Sequence, residues 1–198
     1  MRHSGKTGQA VKVLGISGSL RAGSSNTALL RAAQELAPDG LEIGLFDLNE
    51  VPLYNGDVEA DGDPEGVVRL KAAIRDADGL LIATPEYNHG PSGVLKNAID
   101  WASRDRGDGS LAGKPVTIIG AGGFSGTARA QQQLQSVLSE TGALVMVKPG
   151  VLVPMAWQKF DEEGRLADQQ TRTVVQGHLE AFADWIARLT VSRVAMAA

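Results

Sequence analysis

The chain has 198 residues, 43% of them hydrophobic and 21% charged, with a net charge of −4 and no cysteine. This length suits one domain with a sizeable core, and the acidic balance argues against a nucleic-acid or anionic-membrane partner. Without cysteine there are no disulfides, no thiolate metal sites and no thiol catalysis, which fits a cytoplasmic protein.

Residues 1–10 (MRHSGKTGQA) are basic and polar and lead into no long apolar run. They are expected to form a disordered extension, not a signal peptide. Nowhere does an apolar run approach the ~20 residues of a membrane span. The first strand is expected at 11–16 (VKVLGI), followed by the stretch 15–27, GISGSLRAGSSNT, and a helical pattern over 28–37. That stretch holds three glycines, four serines, one threonine and one arginine. A helix N-terminus offers unpaired N–H groups and partial positive charge, worth ~0.3–2 kcal/mol to an anion. Hydroxyls and Arg21 would add to it, since arginine grips phosphate bidentately. The plainer reading of the same residues is a Ser/Gly turn with Ser25 or Asn26 as helix cap, which is all that most serine-rich turns are. Neither a Walker A loop nor a G-x-G-x-x-G fingerprint is present.

A second strand is expected at 41–48 (LEIGLFDL), then an irregular stretch at 49–63 of a length that is often functional. Val67, Leu70 and Ile74 mark a helix. The third strand, 79–84 (GLLIAT), is nearly all apolar, as in a parallel sheet covered on both faces. It runs into 84–93, TPEYNHGPSG, where Pro85 and Pro91 stiffen the backbone and Glu86, Tyr87, Asn88 and His89 bring polar and aromatic groups. Taken singly, His89 reads as a surface or capping residue and Tyr87 as a packing residue. Val94, Leu95, Ala98, Ile99 and Ala102 mark the next helix. After a fourth strand at 115–120 (PVTIIG) comes 120–126, GAGGFSG. Its four glycines permit either close approach to a ligand or a loose turn. Leu134, Val137 and Leu138 mark a helix, 144–147 (LVMV) a fifth strand, and Val175, Leu179, Phe182, Ile186 and Leu189 a final helix, with a tail over 191–198.

This alternation predicts a single α/β domain over 11–190. The expected fold is a flavodoxin-like three-layer sandwich, with a five-stranded parallel sheet of order 2-1-3-4-5 and helices on both faces. Ligands of such folds bind beyond the C-terminal strand ends, so the loops after strands one, three and four form the candidate site. There is no G-x-S-x-G elbow and no H-E-x-x-H, and His3, His89 and His178 are scattered, so neither hydrolysis nor a metal site is expected. Spacing alone points to a domain that binds a phosphorylated flat ligand across its sheet edge.

Four segments, 18–29 (GSLRAGSSNTAL), 51–59 (VPLYNGDVE), 84–104 (TPEYNHGPSGVLKNAIDWASR) and 113–131 (GKPVTIIGAGGFSGTARAQ), together resemble the NADPH-dependent FMN reductase family, which includes quinone, chromate and azo-dye reductases. The resemblance implies that Ser17, Ser19, Arg21, Ser25, Asn26 and Thr27 hold the FMN phosphate. It places Pro85, Glu86, Tyr87, Asn88 and His89 along the isoalloxazine and ribityl parts, and Gly122, Gly123 and Phe124 at the ring's other edge. NADPH or NADH would be the co-substrate, with hydride passing through FMN to a quinone, free flavin, azo compound or metal oxyanion such as chromate. No catalytic side chain is implied; the backbone amides of Tyr87 and Asn88 are candidate flavin stabilisers. A homodimer or homotetramer is implied, with the helix over 95–101 as the contact element and Trp101 either in that interface or in the core. The alternatives are a flavodoxin-type electron carrier, a nicotinamide dehydrogenase built on 120–126, and a flavin-free interaction protein on the same fold.

Overall fold

The computed structural model describes residues 10–104 and 109–197. The expected N-terminal extension therefore lies, apart from Ala10, outside the described residues. In chain order the elements are β1 (Val11–Ser17), α1 (Ser25–Glu35), β2 (Leu41–Phe46), α2 (Gly56–Asp61), α3 (Glu65–Asp76), β3 (Gly79–Ala83), α4 (Gly93–Ala102), β4 (Pro115–Ala121), α5 (Ala128–Glu140), β5 (Leu144–Val153) and α6 (Gln169–Ala197). All strand pairs are parallel and the order is β2-β1-β3-β4-β5, the flavodoxin-like arrangement expected from the alternation.

The central strands β3 and β4 are buried along their whole length, and their side chains alternate between two cores. Leu81, Ala83, Ile119 and Ala121 pack with Leu29 and Leu30 of α1 and Val175, Leu179, Phe182 and Ile186 of α6. Leu80, Ile82, Val116 and Ile118 pack on the other face with Leu70 and Ile74 of α3, Leu95 and Ile99 of α4, and Leu134 and Leu138 of α5. Side-chain caps position several of the helix N-termini. Ser24 Oγ accepts from Thr27 N–H at α1, and Ser92 Oγ from Leu95 N–H at α4, each at 3.3 Å. Before α6, Asp168 accepts from the Thr171 hydroxyl (2.7 Å) and N–H (2.8 Å) and pairs with Lys159 (2.9 Å). Led by the Thr171 hydroxyl, these contacts bring its carboxyl down to about 2.

Besides small shifts at other element ends, three larger differences from the sequence expectation stand out. The irregular stretch 49–63 contains α2, and α6 continues past 190 to Ala197. β5 runs on to Val153 because its pairing with β4 skips from Met146 to Val151 across a bulge. Lys148 and Pro149 ended the apolar run in sequence, and a bulge is where a sheet accommodates such residues. His178, 1% exposed, sits against this irregularity, with Nδ1 2.8 Å from the Pro149 carbonyl and Nε2 3.0 Å from Thr117 Oγ1. No described helix is long and apolar enough to cross a membrane.

Candidate active site

The loops after β1, β3 and β4 meet at the C-terminal edge of the sheet around a cleft of about 330 Å³, whose lining includes Ser19, Arg21, Ser25, Asn26, Pro85, Glu86, Tyr87, Gly122 and Gly123. Three side chains brace these loops to one another. Asn26, 4% exposed, donates from Nδ2 to the Ala121 carbonyl and accepts the Ala121 N–H, both at 2.9 Å. Ser92 donates to the Gly18 carbonyl at 2.6 Å. A Cβ on Gly18 would lie 2.9 Å from Pro85 Cδ and 3.0 Å from Ser92 Oγ, so only glycine lets the first loop close on the second.

Glu86 is the third brace. Its side chain is 11% exposed and accepts from Arg129 N–H (2.9 Å), Ala130 N–H (3.1 Å) and the Ser125 hydroxyl (3.1 Å). The residue preceding α5, Thr127, is left-handed with φ +73 and supplies no side-chain cap, so the carboxylate from the neighbouring loop caps α5 instead. Burial pushes its pKa up, but the Ala130, Ser125 and Arg129 hydrogen bonds and the Arg129 charge outweigh burial and hold it below the ordinary carboxylate value. The side chains of Asn26 and Glu86, implied as cofactor contacts, are thus committed to the protein.

The remaining candidates separate in the same way. Ser17 and Thr27 bond each other through their hydroxyls at 2.8 Å and line a second cleft of about 270 Å³ towards β2, which shares Ser19 and Arg21 with the first. Tyr87 and Gly90 exchange backbone hydrogen bonds at 3.0 Å in both directions, and Asn88 (φ +50) and His89 (φ +68) form the left-handed turn between them. The Tyr87 N–H expected as a flavin stabiliser is therefore already engaged by Gly90, which corrects that expectation. The His89 carbonyl accepts from Gln133. The glycines of 120–126 differ in what surrounds them. Gly120 and Gly122 make room for Thr127, whereas a Cβ on Gly123 would meet nothing within 4 Å. Phe124 is 84% exposed and packs edge-on against Trp157. Trp101 is fully buried, donates to the Pro52 carbonyl at 2.9 Å and stacks edge-on with Tyr54; within this chain it is core.

One group of donors beside the cleft is left without a partner. Among the described residues Arg21 has no ion pair, and nothing accepts from the N–H groups of Gly23, Ser25 and Asn26. This donor set fits a phosphate. Gly123, open where a Cβ would stand, and Pro85 line the cleft beside it.

The model of the NADPH-dependent FMN reductases matches residues 11–158. The chain belongs to the NADPH-dependent FMN reductase family. It is similar to an NAD(P)H-dependent FMN reductase of Pseudomonas aeruginosa, with 49% identity covering 90% of this chain and 97% of that one. It is also similar to a quinone reductase of Escherichia coli K12, at 40% identity covering 92% and 99% respectively. Among solved structures it resembles FerB, a flavoenzyme NAD(P)H:(acceptor) oxidoreductase from Paracoccus denitrificans, with a TM-score of 0.81 and 38% identity over 90% of this chain and 98% of that one. The protein is an enzyme of the NAD(P)H-dependent FMN reductase and quinone reductase type, which sets aside the electron carrier and the flavin-free interaction protein. Family membership and the packing of Gly120 against Thr127 also remove the dehydrogenase reading of 120–126.

Sequence reasoning missed Ser92, Ser125 and Trp157. Ser92 had a signal, a serine directly before an apolar helical pattern, but its bond to Gly18 depends on the fold. Trp157 lies in a short turn with no periodicity to mark it.

Proposed function

We propose that the cleft binds FMN and admits NAD(P)H and then a quinone to the same place. The observation that carries this reading is the donor set of Arg21 and the N–H groups of Ser25 and Asn26, which find no acceptor among the described residues while the side chains of Asn26 and Glu86 are committed to the protein. When bound, FMN supplies a two-electron carrier that takes hydride from NAD(P)H and gives the electrons to the acceptor. In net terms, NAD(P)H, a proton and a quinone become NAD(P)+ and a hydroquinone.

The chain's own part is position and electrostatics. Arg21 and the start of α1 hold the phosphate, with the Ser19 and Ser25 hydroxyls beside them, and the Ser17–Thr27 pair fixes the loop from behind. Pro85 and Gly123 would border the isoalloxazine ring. With Tyr87 N–H engaged, Asn88 N–H is the candidate flavin donor on the hairpin. Glu86 is a fixed anion capping α5, not a proton donor. Free flavin, azo compounds and chromate are further candidate acceptors, and the resemblance supports a homodimer or homotetramer joined through α4.

The test is titration of the apoprotein with FMN. Tight one-to-one binding with a rise in melting temperature is expected, and its absence would sink the reading. Light scattering reads the oligomer, and a monomer excludes that part of the proposal.

A further inference from the structure

Two large aromatic side chains stand unburied at the mouth of the cleft. Phe124 is 84% and Trp157 62% exposed, and their rings meet edge to face at 5.9 Å and 85°. Trp157 lines the cleft itself. Paired aromatics left in water beside a site mark a contact surface, in a way that scattered exposed residues do not.

The pair is also held in place. Met155 and Ala156 donate their N–H groups to the Gly123 and Gly122 carbonyls, both at 2.9 Å. These bonds tie the turn Ala156–Gln158, which carries Trp157, to the loop that carries Phe124. Met155 enters the turn at φ +48, a left-handed conformation that is unfavourable for a side-chain-bearing residue. Backbone strain is therefore maintained where it fixes a solvent-facing tryptophan.

We propose that Trp157 is the contact surface for the electron acceptor, that Phe124 positions it, and that the pair favours flat conjugated acceptors over inorganic oxidants. This rests on the flavin reading above. The floor of the cleft, Asn26, Pro85 and Ala121, is buried, whereas Trp157 and Tyr87, the latter 56% exposed, form its rim. An incoming molecule meets the rim after the cofactor has filled the floor. Indole and phenol rings offer faces and edges to a conjugated ring; to a compact inorganic anion they offer no charge.

The test uses oxidised holoenzyme and 1,4-naphthoquinone without nicotinamide, in equilibrium dialysis. Trp157→Ala should weaken binding about tenfold, Phe124→Ala by a smaller factor, and Trp157→Phe should stay near wild type. In turnover at saturating NADPH, the ratio of kcat/KM for naphthoquinone to that for ferricyanide should fall about tenfold in Trp157→Ala, through KM. Unchanged naphthoquinone affinity overturns the proposal, as does an equal fall with ferricyanide. So does a matching rise in the FMN dissociation constant, which would make Trp157 a cofactor contact. A changed oligomeric state in light scattering also overturns it, because the pair would then be an interface between copies. A wild-type protein that retains no FMN overturns the flavin reading itself, and this inference with it, before any variant is made.

Discussion

Arg21 and Glu86 are charged residues of the same cleft with opposite assignments. Arg21 has no partner among the described residues, so its guanidinium is free for an anion. Replacing it in Arg21→Ala should weaken FMN by ~1.5–3 kcal/mol, the size of a charged hydrogen bond, and weaken riboflavin much less. Fluorescence titration of the apoprotein with both ligands checks this; equal losses would remove Arg21 from the phosphate site. Glu86 instead holds three donors at and before the start of α5, so Glu86→Gln should lower stability by ~1–2 kcal/mol at neutral pH. Its carboxyl is held below the ordinary value of 4.5. The stabilisation is therefore complete above that value and lost as pH falls through the lower folded-state pKa. Thermal unfolding of both proteins should show a gap at about pH 7 that narrows as pH falls below 4.5. A gap independent of pH contradicts the charged-cap role.

At the scale of elements, hydrophobic period and turn chemistry were legible, and pairing irregularity was not. The full burial of β3 and β4 followed from their nearly unbroken apolar runs, and α6 from the spacing of Val175, Leu179, Phe182 and Ile186. The second half of β5 was hidden because Lys148 and Pro149 interrupt the run, while only the bulge opposite β4 lets the strand resume at Val151. The glycine-rich loop was legible as special but not in its division of labour. Gly120→Ala would drive a methyl into Thr127 and to 2.8 Å from the Thr84 carbonyl, and should destabilise by ~1–3 kcal/mol. Gly123→Ala meets nothing within 4 Å, so its melting temperature should match wild type without cofactor, and any loss should appear in FMN affinity. Differential scanning calorimetry with and without FMN separates the two. Asn26→Ala leaves two buried backbone groups of Ala121 unpaired and should destabilise by ~1–3 kcal/mol; a neutral result would show the brace to be dispensable.

For the whole molecule, the function rests on three loops locked together by Asn26, Ser92 and Glu86. The place of the site was legible, since strand alternation fixes the sheet edge and the three loops beyond it. Which residue types gather there was legible from the segments themselves. What each side chain does was not, because Asn26 to Ala121 and Glu86 to Ala130 are 95 and 44 residues apart in sequence, and no local pattern records such a bond. Bracing one set of polar groups leaves Arg21 and the start of α1 free, and those free donors are what support the flavin assignment of the cleft. The most direct test is the visible spectrum of the FMN-loaded protein without oxygen. Added NADPH or NADH should bleach the flavin absorbance, and 1,4-naphthoquinone should restore it; flavin absorbance that persists in excess of both nucleotides would contradict the assignment.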